Sequence, residues 1–332
     1  MSTHMTRLDD IGFYTLSDAR ALQTSACSPL WRCEMILTDA CNFKCGYCRG
    51  VKPEYRGSLP LAKAVRTLSE WQSHGLKHIR FSGGEPTLHK SLPLLVGLAS
   101  LTCDRVAVST NGSAPREIYE ELIQAGVDDF SVSLDACCAS TGNTMAGVKG
   151  QWEKVIENIR WLSHRVYTTV GVVLTDKNLP EATGIVQFAH DLGVADIRLI
   201  PAAQSGRTME AVGIPEGILN AHPILKYRIK NLQAKVEVRG LRDTDNHCCP
   251  LVLDEVTYIG GNHYPCPIYM REQGKPIGEM TTMREVRLER FNWFQTHDTH
   301  QDPICSGSCL DFCRQFNNTV GNVGAVERSL HA

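Results

Sequence analysis

Apolar residues recur with two alternating periods between positions 34 and 202. Runs of strand length open each cycle: EMILT at 34–38, HIRFS at 78–82, RVAVST at 105–110, DFSVSLD at 129–135, TTVGVVLT at 168–175 and DIRLIPA at 196–202. Between them the spacing turns helical, as in Leu61, Ala64, Val65, Leu68 and Trp71, then Val155, Ile156, Ile159 and Leu162, then Ile185, Val186, Ala189 and Leu192. Pro115 suits a first helical turn, and Gly75, Gly126 and Gly193 stand where left-handed caps end helices. Near-continuous apolar strands joined by crossover helices predict an α/β fold with a parallel sheet, either doubly wound or curved into a partial barrel. Functional loops then belong at the strands' C-terminal ends.

The rhythm stops near position 201, where PAAQSGR at 201–207 reads as a linker into short runs rich in Pro, Gly and Cys. Three regions are expected: an N-terminal extension over 1–28 with the short helical candidate LSDARALQ, a barrel-like unit over 29–203, and a smaller cysteine-rich unit over 204–332.

Composition narrows the function classes. The chain has 332 residues, 42% of them hydrophobic, which excludes a disordered or fibrous protein. Its 34 Lys plus Arg against 36 Asp plus Glu provide no global positive field, so any nucleic-acid contact must be local. The longest apolar stretch, 92–101, contains Pro93 and Gly97 and falls short of the ~20 residues that span a bilayer. Asp9, Asp10 and Asp18 interrupt the start, which lacks the basic and apolar blocks of a secretory signal, so a cytoplasmic location is expected.

The fourteen cysteines are bunched, which in such a chain points to metal rather than to disulfides. CNFKCGYC, directly after the first strand, spaces Cys41, Cys45 and Cys48 as CxxxCxxC. Three thiolates can hold a four-iron cluster and leave one iron open for chemistry. Zinc motifs pair two short Cys or His spacings instead, and no fourth ligand stands nearby.

This loop resembles that of the radical S-adenosylmethionine (AdoMet) superfamily, whose members carry CxxxCxΦC after the first strand with an aromatic residue where Tyr47 stands. SGGEP at 82–86 resembles the superfamily's GGE motif, so Gly83, Gly84 and Glu85 are expected to receive the methionine amino group. STNG at 109–112 and SVSLD at 131–135 resemble the segments that meet the methionine carboxylate and ribose, which brings in Ser109, Asn111, Ser133 and Asp135. Alone, each is an ordinary turn or cap. Three of them in register after successive strands are a stronger signal. The resemblance implies a partial (β/α)6 TIM-like barrel, a 4Fe–4S cluster, AdoMet, and a reductant such as flavodoxin or ferredoxin. It also implies reductive cleavage of AdoMet to a 5′-deoxyadenosyl radical that abstracts hydrogen from a substrate C–H bond.

The C-terminal region holds Cys248, Cys249, Cys266, Cys305, Cys309 and Cys313, six thiolates where one cluster needs four. Cys249, Gly261 and Cys266 resemble the opening of the SPASM and twitch auxiliary-cluster domains, with Gly261 turning the hairpin. CSGSCLDFC departs from the longer SPASM signature, so one auxiliary iron–sulfur cluster, of 4Fe–4S type by that resemblance, is expected on Cys249, Cys266 and two of Cys305, Cys309 and Cys313. A zinc ribbon is the alternative. Three ligands would leave an open iron for substrate, as in the molybdopterin-pathway GTP cyclases that the architecture resembles, whereas four would suit electron transfer.

Cys27, Cys33 and Cys103 read as small hydrophobes. Cys137 and Cys138 follow SVSLDA at the expected mouth, where a thiol could return a hydrogen atom to a substrate radical. KYRIKNLQAKVEVRGLR at 226–242 and REVRLERFNWF at 284–294 mix basic and aromatic residues, which can bind phosphates or stack bases but are more often solvated faces and core. Small-molecule, nucleotide-like and peptide substrates all fit, although the segment before Trp31 leaves little room for a leader-recognition domain. The expected reaction is hydrogen abstraction followed by oxidation or bond formation. The alternatives are a redox-neutral epimerase or isomerase, and a noncatalytic iron–sulfur or zinc protein, which would not need the GGE, STNG and SLD segments.

Overall fold

The computed structural model describes residues 7–11, 16–51, 54–203 and 212–320. The boundary expected near Gln204 lies outside them. Six strands appear in the predicted order: β1 (Arg32–Ile36), β2 (His78–Ser82), β3 (Arg105–Thr110), β4 (Asp129–Ser133), β5 (Tyr167–Leu174) and β6 (Asp196–Pro201). They pair in parallel, each with the next, so sheet order follows chain order. After the short α1 (Asp18–Gln23), the crossovers are α2 (Leu61–Ser73), α3 (Leu92–Ser100), α4 (Arg116–Ala125), α5 (Ala139–Ala146), α6 (Trp152–Ser163) and α7 (Ala182–Asp191). Their apolar stripes pack on the sheet: α2 buries Ala64, Leu68 and Trp71, and α6 buries Val155, Ile156, Ile159 and Leu162. Gly126 ends α4 at φ +102°, a left-handed conformation that costs glycine little.

β1 ends two residues earlier than its apolar run. Leu37 N–H already donates to Ser82 O, and Thr38 bridges to Ser58, so the chain is turning into the cysteine loop there.

The sheet also continues past β1. β7 (Glu255–Ile259) lies parallel to it, with Arg32 opposite Glu255, and β8 (Asn262–Tyr264) and β9 (Gly278–Glu279) follow antiparallel, giving an open sheet of nine strands. Gly260 and Gly261, both at positive φ, make the β7–β8 turn. The remaining helices are α8 (Glu216–Ala221), α9 (Pro223–Gln233), α10 (Pro267–Arg271), α11 (Met283–Thr296), α12 (Pro303–Ser308) and α13 (Asp311–Thr319). A second core joins Leu8, Ile11 and Leu16 to Val252, Phe294 and Phe316. Within the mixed basic and aromatic run at 284–294, Arg290, Phe291 and Phe294 are buried, while Arg284, Leu288 and Asn292 are exposed. Among the described residues, no helix is long and apolar enough to cross a membrane.

Candidate active site

The parallel strands enclose a cavity of about 510 Å³, lined from Arg32, His78 and Arg105 at the strand starts to the loops after their C-terminal ends. Cys41, Cys45 and Cys48 line it together. Their thiols feel one another: burial first, then Asp135, Cys48 and Cys41, push the Cys45 thiol up to about 11, against a hydrogen bond from Tyr47. Side chains that the motif reading passed over hold this loop. Asn42 donates to Ser113 Oγ at 2.8 Å and accepts from Asn111 Nδ2 at 2.8 Å, while Lys44 N–H donates to Ala146 O at 2.8 Å. Tyr47 donates to Asp135 Oδ2. Two asparagines after strand ends were the only signal available in the sequence.

Gly83 and Gly84 also line the cavity, and the close approach they permit is to the chain's own backbone. A Cβ at Gly83 would lie 2.4 Å from Thr38 O, and one at Gly84 2.3 Å from Ala40 O. The backbone N–H groups of Gly84 and Glu85 donate to Thr38 O and Ala40 O at 2.7 and 2.8 Å, which locks the segment entering Cys41.

The Glu85 side chain does not line the cavity. Its Oε1 accepts from the Thr87 and Thr110 hydroxyls, both at 2.7 Å, and its Oε2 accepts from Asn111 N–H at 2.7 Å. The carboxylate is thus spent on joining two strand-end loops.

Ser109, Asn111, Ser133 and Asp135 all reach the cavity. Asn111 is engaged with Asn42 and Ser113, and Asp135 with Tyr47 and with Val173 N–H at 2.7 Å. Cys137 and Cys138 do not line it, so neither stands where a hydrogen donor was expected. Cys137 faces Gly184 of α7, and Cys138 caps α5 with its sulfur beside the Ser140 hydroxyl at 3.2 Å.

The C-terminal cysteines gather nearby, and Cys266 and Cys313 form part of the cavity lining. Burial and the thiols of Cys249, Cys266 and Cys305 push Cys309 well up, while burial and the thiols of Cys249 and Cys266 raise Cys305. Cys313 is raised by burial, then by Cys309 and Glu255, against Arg32. Cys249 precedes a 3-10 turn and accepts from Asn317 Nδ2 at 3.4 Å, and Cys266 caps α10. All fourteen cysteines are free thiols. Sequence reading did not include His297, whose Nε2 lies 3.3 Å from Asp302 and 3.9 Å from Cys305 Sγ. Nor did it single out the eight arginines of the cavity lining.

Comparison with known proteins agrees with this geometry. Residues 35–189 match the radical SAM superfamily. A probable GTP 3′,8-cyclase of Saccharolobus solfataricus is 30% identical over 217 residues, 64% of this chain and 68% of that one. Among solved structures, Streptococcus suis SuiB bound to its precursor peptide SuiA superposes with a TM-score of 0.59 at 15% identity, covering 84% of this chain and 66% of SuiB. Native anSMEcpe with bound AdoMet superposes with a TM-score of 0.57 at 15% identity, covering 87% of this chain and 95% of its own. The chain thus spans about two thirds of the relative and of SuiB. The superfamily match runs through the cysteine loop and the strand-end motifs that form the cavity mouth, and with this relative it establishes that the chain belongs to the radical SAM superfamily.

Proposed function

We propose that this chain abstracts hydrogen from a substrate C–H bond held inside the barrel and completes an oxidation or bond formation with the help of an auxiliary iron–sulfur cluster. The shared cavity carries the reading: Cys41, Cys45 and Cys48 of the loop and the C-terminal Cys266 and Cys313 line the same enclosed space. When bound, the 4Fe–4S cluster and AdoMet of this superfamily supply a 5′-deoxyadenosyl radical.

The chain's own groups suit that chemistry. Cys41, Cys45 and Cys48, three coupled thiols, would hold three irons and leave the fourth open. The backbone at Gly83, Gly84 and Glu85 would receive the methionine amino group. The hydroxyls of Ser109 and Ser133, with no protein partner among the described residues, would meet the carboxylate and ribose. Asn111, Tyr47 and Asp135 position the loop on β3 and β4. Cys309, with Cys249, Cys266 and Cys305 close enough to act on its thiol, would hold the auxiliary cluster together with those three, with Cys313 adjoining it. A one-electron reductant is required as partner. The redox-neutral alternative loses its expected thiol donors, since Cys137 and Cys138 lie off the cavity. The GTP cyclase and the peptide-bound SuiB among the similar proteins give precedent for nucleotide-like and peptide substrates alike.

Anaerobic reconstitution followed by dithionite and AdoMet tests this reading. Wild-type protein is expected to yield 5′-deoxyadenosine, and Cys266→Ser to lose about four irons per chain. A wild type that forms no 5′-deoxyadenosine contradicts it.

A further inference from the structure

The arginines of the cavity narrow the substrate's chemistry. Most already face a carboxylate: Arg32 meets Glu255 at 2.5 Å, Arg228 meets Asp311 at 2.5 Å, Arg105 meets Asp129 at 3.5 Å, and Arg49 meets Glu272. Arg80 on β2, Arg198 on β6 and Arg239, which donates to Pro201 O at 3.2 Å, do not. Arg80 makes no hydrogen bond or ion pair with any described residue. Arg198 Nη2 donates to the hydroxyls of Ser131 and, at 3.0 Å, Thr169, while its Nε is buried without a partner.

The nearby acids have partners of their own; Asp129 faces Arg105 at 3.5 Å through Oδ2, while its buried Oδ1 accepts no hydrogen bond. Asp196 accepts the backbone N–H groups of Ile197, Ile224 and Leu225, and Glu34 accepts from Ser82 and faces Arg271 at 3.9 Å. Burial, and then the like charge of Arg80, lower the Arg198 pKa to about 10. A buried guanidinium with an unsatisfied Nε and no ion pair, sharing its cavity with a second arginine that makes no ion pair, is the arrangement of a site that awaits opposite charge. There is also room. Across the strands Arg80 stands between Glu34 and Ala107, and Arg198 stands beside Gly171, where a Cβ would meet nothing within 4 Å.

Resting on the radical reading above, we propose that the substrate carries a multiply charged oxyanion, phosphoryl or dicarboxylate, that seats between Arg80 and Arg198 inside the barrel. Arg80 stands two residues before the end of β2, where Gly83 and Gly84 adjoin the cysteine-loop segment. An anion held there directs the remainder of the substrate toward that loop. Guanidinium groups recognise such oxyanions through charge-assisted, often bidentate, hydrogen bonds.

Calorimetric titration of the reconstituted holoenzyme with AdoMet present, using inorganic pyrophosphate in one arm and malonate in the other, tests the proposal. At least one probe is expected to saturate the wild type and to weaken with added salt. Binding falls about tenfold or more in Arg80→Gln and in Arg198→Gln. Arg66→Gln, exposed on α2, leaves both binding and AdoMet cleavage unchanged. Pyrophosphate alone assigns a phosphoryl group and malonate alone a dicarboxylate. Because Arg80 bonds nothing, Arg80→Gln keeps its iron and a thermal midpoint no lower than wild type, so a binding loss there is not a folding loss. No binding of either probe by wild type, or equal binding by Arg80→Gln, overturns the proposal. Failure of AdoMet cleavage in wild type overturns the radical reading and is scored separately.

Discussion

Tyr47 donates its phenol proton to Asp135 Oδ2, tying the cysteine loop to a residue two positions past the end of β4, 88 positions away in sequence. The other carboxylate oxygen of Asp135 accepts Val173 N–H at 2.7 Å, so one buried acid fastens the loop to two strands. Tyr47→Phe keeps the ring and removes only the donor. It is expected to cost about 1–3 kcal/mol, the penalty of leaving a buried acceptor short of a partner. Urea unfolding of the apo-protein would show the loss, and the reconstituted variant should retain less iron than wild type. Equal stability and iron content would contradict this.

Gly84→Ala tests the contact between two strand-end loops. The added Cβ would stand 2.3 Å from Ala40 O and 2.6 Å from Asp39 O, backbone atoms that cannot rotate away. Displacement of the 38–40 segment should carry Cys41 with it and lower AdoMet cleavage by about tenfold or more, in line with the cost of small misplacements at reacting centres. Cleavage at the wild-type rate would show that the segment yields without consequence.

Arg290 is a fully buried hub for the C-terminal region. It donates to the carbonyls of Val252 at 2.8 Å, Tyr264 at 3.0 Å and Pro265 at 3.3 Å, and also to Glu255 O. These carbonyls flank the chain between Cys249 and Cys266. Arg290→Met should destabilise the protein by about 3–5 kcal/mol, because buried acceptors lose their donor. Iron analysis should show loss of the auxiliary cluster before the first one. A loss below about 1 kcal/mol would mean that the hub is dispensable.

His263 gives a pH dependence of known sign. It is wholly buried, its Nε2 lies 2.9 Å from Glu289 and its Nδ1 3.2 Å from Arg290 Nη1, so it is neutral and accepts from the arginine. Burial first, then Arg290, lower its pKa from 6.5 to about 3. Because its folded pKa lies below the unfolded one, its stabilising contribution is complete above pH 6.5 and is lost as pH falls toward 3. Relative to His263→Gln, wild type should lose about 1.4 kcal/mol per pH unit across that window. Parallel stability curves for the two proteins would contradict the assignment.

The parallel strands were legible because their apolar runs are short, β-rich and evenly separated by helical stripes, and the cysteine loop was legible because its ligands are contiguous. Pairing of β7 with β1 was not, since it joins Arg32 to Glu255 over the whole barrel and leaves no local pattern. The roles within motifs also resisted reading. Glu85 sits in a recognisable GGEP, yet its carboxylate turns inward to Thr110 and Asn111, and only the third dimension shows that. Arg80 and Arg198 did leave a trace: each is an arginine in the middle of a short strand, HIRFS and DIRLIP, at a position whose neighbours face the helices. The basic run at 226–242 is divided, with Lys230, Lys235 and Arg242 exposed and Arg228 and Arg239 buried, a split its charge pattern does not show.

The central claim is that Cys41, Cys45 and Cys48 hold a cluster that works on AdoMet beside a second, separately ligated one. Its most direct test is iron and sulfide analysis together with dithionite-driven 5′-deoxyadenosine formation, comparing wild type with the Cys41→Ala, Cys45→Ala, Cys48→Ala triple variant after anaerobic reconstitution. The account predicts about eight irons per chain in wild type, about four in the variant, and 5′-deoxyadenosine from wild type alone. Zinc in place of iron, or 5′-deoxyadenosine formation that persists in the variant, would contradict it.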